Sequence, residues 1–294
     1  MFATLRLILL SLSAALVLGG CSLRFAYTQL DWLVPWYLRD YVTLDAGQRS
    51  TLDERLAARL DWHCRNHLAD YALTLRQAQG LLARPRIEAA ELAPYLERAE
   101  GWWRELLVEL RPDARVLLAA LQTAQVEELA QAFARREREA RDEFLGGSVA
   151  EQHADRVTRM EQRLQRWFGR MTPAQRTRIA AWSRDLKPTT EAWLANRARW
   201  QAELLAALQL RGDAQAFGAR LDALLAPQEA RWSAGHRAAV AHNRALTLEL
   251  LADLFNIATD AQRQHLVGEV AALAGQFESL ACAAPARLSA VLGR

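Results

Sequence analysis

The side chains best suited to chemistry lie in one short stretch of the sequence, at His63, His67 and Asp70. Their spacing places all three on one face of a helix, where two imidazoles and a carboxylate could bind a metal ion. Such a site would serve a metal-dependent hydrolase or a metal sensor. The stretch lacks the Glu of a His-Glu-x-x-His pattern and shows no fourth ligand, so we favour histidines that pack along an apolar seam. We therefore predict that the protein is not an enzyme and has no catalytic residues.

The elements that must position these residues are predicted to be helices. Hydrophobic residues make up 51% of the chain and charged residues 24%, with only 14 Gly and 8 Pro, which excludes low-complexity and largely disordered proteins. Ile and Val are scarce, which argues against a sheet. Apolar seams at helical spacing predict an all-α fold, a multi-helix antiparallel bundle of long amphipathic helices. A single bundle and two lobes divided near residues 146–148 are both compatible with the sequence.

One six-residue pattern marks four predicted helix starts, at residues 44–49, 110–115, 171–176 and 258–263. In three copies an Asp or Thr suits the N-cap, and a Gln three residues later suits a capping box. The second copy lacks both but has Pro112 at the first helical position. Met171-Thr172-Pro173-Ala174-Gln175 also resembles the Leu-Thr-x-x-Gln motif of small periplasmic helical chaperones and stress sensors. Capping by itself accounts for these residue types, so the functional meaning stays open.

The N-terminus indicates where the protein is located. Residues 7–18 form an apolar run that is too short to span a bilayer and matches the hydrophobic region of a signal peptide. The following Gly19-Gly20-Cys21 resembles the lipobox of bacterial lipoproteins, in which the signal is cut before the Cys and the Cys is lipidated. The resemblance implies a signal peptide over residues 1–20, cleavage between Gly20 and Cys21, and a covalent lipid on Cys21, with no other cofactor. An ordinary cleaved signal or an uncleaved anchor is the alternative.

The residue after the lipobox Cys bears on the choice of membrane. Ser at this position, here Ser22, implies sorting of a lipoprotein to the outer membrane. The resemblance therefore implies a cell-envelope protein that is lipid-anchored in the outer membrane and faces the periplasm. In that oxidising compartment Cys64 and Cys282 could form a disulfide, but their separation in the sequence neither supports nor forbids contact, and we favour two buried thiols.

Residues 21–45 form an aromatic-rich segment that leads into a helical domain predicted over residues 46–294. Tyr27-Thr28-Gln29-Leu30-Asp31-Trp32-Leu33-Val34-Pro35-Trp36-Tyr37-Leu38 resembles the opening of a family of uncharacterised bacterial lipoproteins with no assigned activity. That resemblance covers about residues 18–67 and implies location and fold, but no site residues. Trp and Tyr favour membrane interfaces, so the segment could lie on the bilayer. We favour the other interpretation, in which the bundle packs against Leu30, Leu33, Trp36 and Tyr37.

The expected partners are a membrane, contacted through the lipid anchor, and an envelope protein. Trp193 and Trp200 share one helix face and could anchor a protein partner if they are exposed, although burial in the core also explains such a stripe. We identify no small-molecule substrate. The net charge is only +3, from 37 basic and 34 acidic residues, and runs such as 135–143 mix both signs. Mixed charges of this kind do not form a continuous basic surface that could bind phosphates, so we expect no nucleic-acid partner.

Overall fold

The computed structural model describes residues 22–282, so the predicted signal peptide, the cleavage point at Gly20 and the lipidation site Cys21 lie outside the described residues. Twelve α-helices follow one another in this part of the chain: α1 (Ser22–Thr28), α2 (Leu30–Leu38), α3 (Ala46–Asn66), α4 (Leu68–Leu82), α5 (Ala89–Ala119), α6 (Thr123–Leu145), α7 (Val149–Phe168), α8 (Pro173–Asp185), α9 (Thr190–Leu208), α10 (Ala214–Leu225), α11 (Ala234–Asn256) and α12 (Asp260–Leu280). A short 3-10 turn, Gln228–Arg231, separates α10 from α11. Residues 22–282 contain no strand, and the predicted all-α fold is confirmed. Over the same residues, no helix combines the length and the apolar character needed to cross a membrane.

The helices pack around two hydrophobic cores. The first core is formed mainly by α7, α8, α11 and α12 and includes the buried Phe168 and Ile179. The second is formed mainly by α6, α9 and α10 and includes the buried Leu208 and Phe217. Ile87 and Leu92 bring the chain before residues 146–148 into the first core, and the second core combines α6 with α9 and α10, so this turn does not separate one core from the other.

The long helix α5 connects the two cores. Leu92 near its start packs against the first core, and Leu118 near its end packs against the second. With 31 residues the helix is about 46 Å long. Its second half is also held by charge, because the Asp113 carboxylate accepts a hydrogen bond from Arg55 of α3 at 2.7 Å and lies 3.0 Å from Arg59.

Capping boxes form at three of the four predicted helix starts. The side chains of Asp45, Thr172 and Thr259 each accept a hydrogen bond from the backbone N–H of the Gln three residues later, and that Gln accepts one in return. The prediction for residues 110–115 is wrong, because this stretch lies inside α5 with Pro112 in the helix interior. The chain starts a new helix further on, where the backbone N–H of Gln122 donates to Gln125 Oε1 at 2.8 Å.

The glutamines of these four helix starts form two buried pairs. Gln48 and Gln125 exchange side-chain hydrogen bonds of 2.9 and 2.7 Å. In the second pair, Gln262 Nε2 donates to Gln175 Oε1 at 2.9 Å. Each amide also donates to a backbone carbonyl, that of Ala120, Thr43, Leu254 or Arg170. The pairs therefore tie the start of α3 to that of α6, and the start of α8 to that of α12.

The aromatic-rich segment forms α1 and α2, and its packing differs from the prediction. Leu30 and Leu33 are half-buried as expected. However, Trp36 is 37% exposed and Tyr37 is 53% exposed, so the predicted packing is wrong for these two residues. Trp36 lies two residues from the half-buried Val34, which places it on the other side of the helix from the bundle.

Candidate functional site

His63 and His67 lie where α1, α3 and α4 meet. His63 belongs to the last turn of α3, and His67 is the junction residue between α3 and α4. Their four-residue spacing stacks the two imidazoles, whose ring centroids are 5.3 Å apart. Tyr27 of α1 approaches from the side, with its hydroxyl 3.1 Å from His63 Nδ1 and 3.3 Å from the Leu60 carbonyl oxygen.

Polar contacts run continuously through this group of side chains. The Tyr71 hydroxyl lies 3.1 Å from His63 Nε2 and 3.3 Å from His67 Nδ1. The other His67 nitrogen, Nε2, lies 3.7 Å from the carboxylate of Glu105 on α5. Both nitrogens of His63 therefore face tyrosine hydroxyls. We refer to Tyr27, His63, His67 and Tyr71 as the histidine–tyrosine cluster.

Burial sets the protonation of the cluster. It lowers the pKa of His63, and the neighbouring His67 lowers it further. Burial also lowers the pKa of His67, against the opposing effect of nearby carboxylates. It raises the pKa of Tyr27 to about 12 and also raises the pKa of Tyr71. At neutral pH the imidazoles are therefore neutral and the phenols protonated, so the four side chains form an uncharged hydrogen-bonded network.

The structure brings His63 and His67 together; Asp70 is near enough to His67 to oppose the lowering of its pKa by burial, but its carboxylate does not join the two imidazoles in a group of ligand atoms within 4.8 Å of one another. Asp70 is exposed. Within residues 22–282, the group of three potential metal ligands whose atoms lie within 4.8 Å of one another consists of Asp61, Cys64 and Cys282. The two sulfurs of that group are bonded to each other. The histidine–tyrosine cluster thus has the geometry of a polar contact between helices.

The end of α12 is fastened to the same region. Cys282, which follows α12, forms a disulfide with Cys64 of α3, with an S–S distance of 2.03 Å and a Cα–Cα distance of 5.2 Å. The backbone N–H of Cys282 also donates to the Cys64 carbonyl at 3.2 Å. Because Cys64 directly follows His63, the disulfide and the histidine–tyrosine cluster occupy the same turn of α3. α1 and α12, the first and last helices in residues 22–282, therefore both attach to the end of α3.

An apolar cleft opens beside Tyr71, between α4, α5 and α12. Tyr71 packs against Trp102 with ring centroids 4.3 Å apart, and edge-on against Phe277 at 5.3 Å. The cleft has a volume of about 380 Å³, and apart from Thr74 and the two Tyr hydroxyls its lining side chains are aliphatic or aromatic. It could hold an apolar group, but it does not supply converging acids, bases or nucleophiles.

Trp193 and Trp200 of α9 line a second cleft, at the molecular surface. Trp193 is 44% exposed. Trp200 is half-buried, and its indole N–H donates to the Leu224 carbonyl at 2.9 Å. Trp232, which follows the 3-10 turn, lines the same cleft of about 290 Å³. The predicted shared face is therefore formed, with Trp200 fixed by its hydrogen bond and Trp193 accessible.

Arginines surround this tryptophan cleft. Arg197, Arg199 and Arg231 all line it. The Arg197 guanidinium lies 5.7 Å from the centre of the Trp193 ring, and Arg231 forms an ion pair with Glu203. Guanidinium groups beside an exposed indole give a surface that suits an anionic partner with a planar or apolar face.

The sequence-based predictions missed the contacts of Tyr27 and Glu105 with the histidines, and they missed the helix start that contains Gln125. Tyr27 lies 36 positions before His63, and Glu105 lies on a different helix, so no local pattern links either residue to the histidines. Gln125 did have a signal. Leu121-Gln122-Thr123-Ala124-Gln125 keeps the Leu and the Gln of the Leu-Thr-x-x-Gln pattern, and it replaces only the capping Thr.

The model of a family of unknown function, DUF6279, matches residues 40–237, about two thirds of the chain. The match begins after the aromatic opening and includes both His63 and Trp193. No curated protein and no solved structure matches the chain. An uncharacterised family was expected from the sequence. Because the match covers more than half of its residues, the chain belongs to the DUF6279 family, whose function is unknown.

Proposed function

We propose that this protein is an outer-membrane lipoprotein whose helical body faces the periplasm and binds an envelope partner without catalysing a reaction. The proposal rests above all on the apolar run at residues 7–18 followed by Gly19-Gly20-Cys21, the order of elements in a lipoprotein signal. A lipid on Cys21 would provide membrane affinity without a spanning helix. It would also join the membrane directly to α1, which begins at Ser22.

The Cys64–Cys282 disulfide supports export from the cytoplasm. Disulfides form and persist in oxidising compartments such as the periplasm, whereas cytosolic thiols are kept reduced. The bond also joins residues with a sequence separation of 218, so it would raise the free energy of unfolding by restricting the unfolded chain.

The histidine–tyrosine cluster supports a structural role for His63 and His67. A general base or a metal ligand needs a ring nitrogen that can reach the substrate or the ion. Both His63 nitrogens instead lie at 3.1 Å from tyrosine hydroxyls. The alternative, a metal-dependent hydrolase or sensor that uses His63, His67 and Asp70, would need these three side chains to converge on one ion, and Asp70 is exposed.

The tryptophan cleft supports a binding role. Trp and Arg are the residues that most often dominate binding energy at protein interfaces, particularly where the ring is held in place before the partner arrives. Trp200 is held by its hydrogen bond to Leu224, and Arg197 stacks on Trp193. We therefore place the partner at this cleft and expect it to present carboxylates or phosphates.

Lipid anchoring is tested on the full-length protein produced in bacteria and extracted from membranes. We expect its N-terminal peptide to begin at Cys21 and to carry the mass of attached acyl chains. The Cys21→Ala variant should carry no lipid, whereas the control Cys64→Ala should be lipidated normally. A wild-type protein that keeps Met1, or that is cleaved without acyl chains, would refute the proposed anchor.

Partner binding is tested by chemical cross-linking in intact cells, with Trp193→Ala beside Trp103→Ala as a matched control. Both residues are exposed tryptophans, at 44% and 59%, but Trp103 lies on α5 outside the tryptophan cleft. We expect a specific cross-linked species that weakens by about tenfold or more in Trp193→Ala and persists in the control. Equal cross-linking of the two variants would show that the partner does not use this cleft.

A further inference from the structure

We infer that an exposed aromatic face on α1 and α2 lies in the lipid–water interface of the membrane that holds the lipid anchor. The aromatic face consists of Phe25, Trp32 and Trp36, which are 67%, 56% and 37% exposed. The inference rests on the proposed lipidation of Cys21 and deepens it, because it assigns a second contact of the protein with the same bilayer.

The aromatic face runs along one side of a nearly continuous helix. Only Gln29 separates α1 from α2, and helical hydrogen bonds pass through it: Gln29 N–H donates to the Phe25 carbonyl at 3.1 Å, and Leu33 N–H donates to the Gln29 carbonyl at 2.8 Å. Spacings of seven and four residues therefore align the members of the aromatic face. The rings of Trp32 and Trp36 stack with centroids 6.0 Å apart.

The opposite side of this helix is held by the protein. Tyr27 reaches His63 and the Leu60 carbonyl of α3, and Leu30 and Val34 on the same side are half-buried. Turning the aromatic face inward would break these contacts. Its exposure is therefore a property of how α1 and α2 pack, and it does not depend on the rotamers of individual side chains.

The position of the anchor identifies a membrane as the occupant of this face. Phe25 is four residues from Cys21, so it lies within about 14 Å of the lipid attachment point even if the chain is fully extended. The face extends about 16 Å along the helix from Phe25 to Trp36, which suits a helix lying in the plane of the interface. Indole rings favour this depth of the bilayer. A protein partner would have to fit between the anchored helix and the membrane.

The charges beside the aromatic face also fit a lipid surface. Arg24 and Arg39 are exposed at the two ends of the helix, where their guanidinium groups can reach lipid phosphates. Asp40 is neutralised by an ion pair with Arg136 at 2.6 Å. Asp31 is exposed next to Trp32, and its carboxylate accepts a hydrogen bond from the Trp32 backbone N–H at 2.8 Å.

The test uses the full-length protein, purified from membranes and reconstituted in vesicles of phosphatidylethanolamine and phosphatidylglycerol. The vesicles contain lipids brominated near the carbonyl end of the acyl chain, and bromine quenches nearby tryptophan fluorescence. Two of the ten Trp belong to the aromatic face, so we expect a loss of about one fifth of the emission relative to unbrominated vesicles. The double variant Trp32→Phe with Trp36→Phe should lose this quenching. The matched control, Trp103→Phe with Trp193→Phe, should keep it.

Each outcome decides between contact and no contact. Quenching that disappears only in the Trp32/Trp36 variant supports the inference. If the wild-type fluorescence is not quenched, the inference is overturned. It is also overturned if the control variant loses the quenching to the same extent. Either result is what we would expect if a protein, and not lipid, covers this face. The mass of the N-terminal peptide from the same sample reports the lipid separately. A lipidated but unquenched protein refutes the interfacial contact alone, and a quenched protein without lipid on Cys21 refutes the anchor alone.

Discussion

Replacing Gln175 by Ala tests whether the buried glutamine pairs hold the helix starts together. Gln175 has no exposed surface. Its Oε1 accepts hydrogen bonds from the Thr172 backbone N–H at 3.0 Å and from Gln262 Nε2 at 2.9 Å, and its Nε2 donates to the Leu254 carbonyl at 3.3 Å. The Gln175→Ala change would leave three buried polar groups without these partners.

The expected loss of stability follows from those three groups. Loss of the capping-box hydrogen bond from the Thr172 N–H costs about 1 kcal/mol, and the Gln262 amide and the Leu254 carbonyl, each deprived of this partner, cost about 1–3 kcal/mol each. Water that enters the space left by the side chain would satisfy some of the groups, so we expect the free energy of unfolding to fall by about 3 kcal/mol. Urea unfolding followed by circular dichroism measures this change. The exposed Gln264 lies on α12 beside Gln262, and Gln264→Ala should cost less than about 0.5 kcal/mol.

A double-mutant cycle with Gln262→Ala isolates the contact between the two side chains. Each single change removes the same hydrogen bond and leaves the other amide without this partner, so the double variant should lose about 1–2 kcal/mol less than the sum of the single losses. A loss below about 1 kcal/mol for Gln175→Ala, or strictly additive losses, would refute the reasoning that the pair is a stabilising contact.

The remaining predictions concern the end of α3, where α1 and α12 attach. Cys282→Ala should lower the free energy of unfolding by about 3–5 kcal/mol, because the disulfide closes a loop with a sequence separation of 218. Adding a reductant should lower the free energy of unfolding of the wild-type protein by a similar amount in urea titrations. A wild-type protein whose stability does not change with reductant would contradict this prediction. Burial lowers the pKa of both His63 and His67 in the folded protein. Since the unfolded chain then takes up protons at a higher pH than the folded protein, stability should decline from about pH 6.5 towards pH 5.5 by at most about 1.4 kcal/mol per pH unit for each histidine. His63→Gln should flatten this dependence in urea titrations. Tyr27→Phe removes the hydroxyl that contacts His63. It should speed hydrogen exchange of the α1 amides by up to about tenfold, the equivalent of about 1.4 kcal/mol, and leave exchange of the α12 amides unchanged. Unaltered exchange in α1 would show that this hydroxyl does not hold the helix.

The helix starts show how far local sequence determines this fold. Thr172 and Thr259 were predicted as N-caps because capping depends on residues within one turn, and the structure has both. Gln122 was missed because Gln is not among the favoured N-cap types. The prediction of a helix start at Pro112 is wrong because α5 tolerates this proline in its interior, where α3 forms ion pairs with Glu109 before the proline and with Asp113 after it.

The glutamine pairs show what local sequence leaves out. The Oε1 atom of each Gln has a local role, accepting the backbone N–H of its own cap residue, and spacing alone predicts that role. The Nε2 atom of Gln48 instead reaches a partner 77 positions away, and that of Gln262 reaches one 87 positions away. The hydrophobic periodicity of the sequence does not predict which residues pair over such sequence separations. The same side chain therefore carries one predictable contact and one that depends on the tertiary fold.

The contacts of the histidine–tyrosine cluster are likewise partly predictable from local spacing and partly created by the tertiary fold. The position of the cluster also suggests a mechanical role. Four-residue spacing predicted that His63 and His67 share a face, and their partner Tyr71 continues that spacing. Their other partners, Tyr27 on α1 and Glu105 on α5, are brought near only by the fold. At the end of α3, His63 contacts Tyr27 of α1, the helix that follows the proposed anchor, and Cys64 is bonded to Cys282, which follows α12. Any force transmitted from a lipid on Cys21 would pass through α1 to this turn of α3. A neutral, buried hydrogen-bond network on one side and a covalent bond on the other would resist that force where the membrane acts on the bundle.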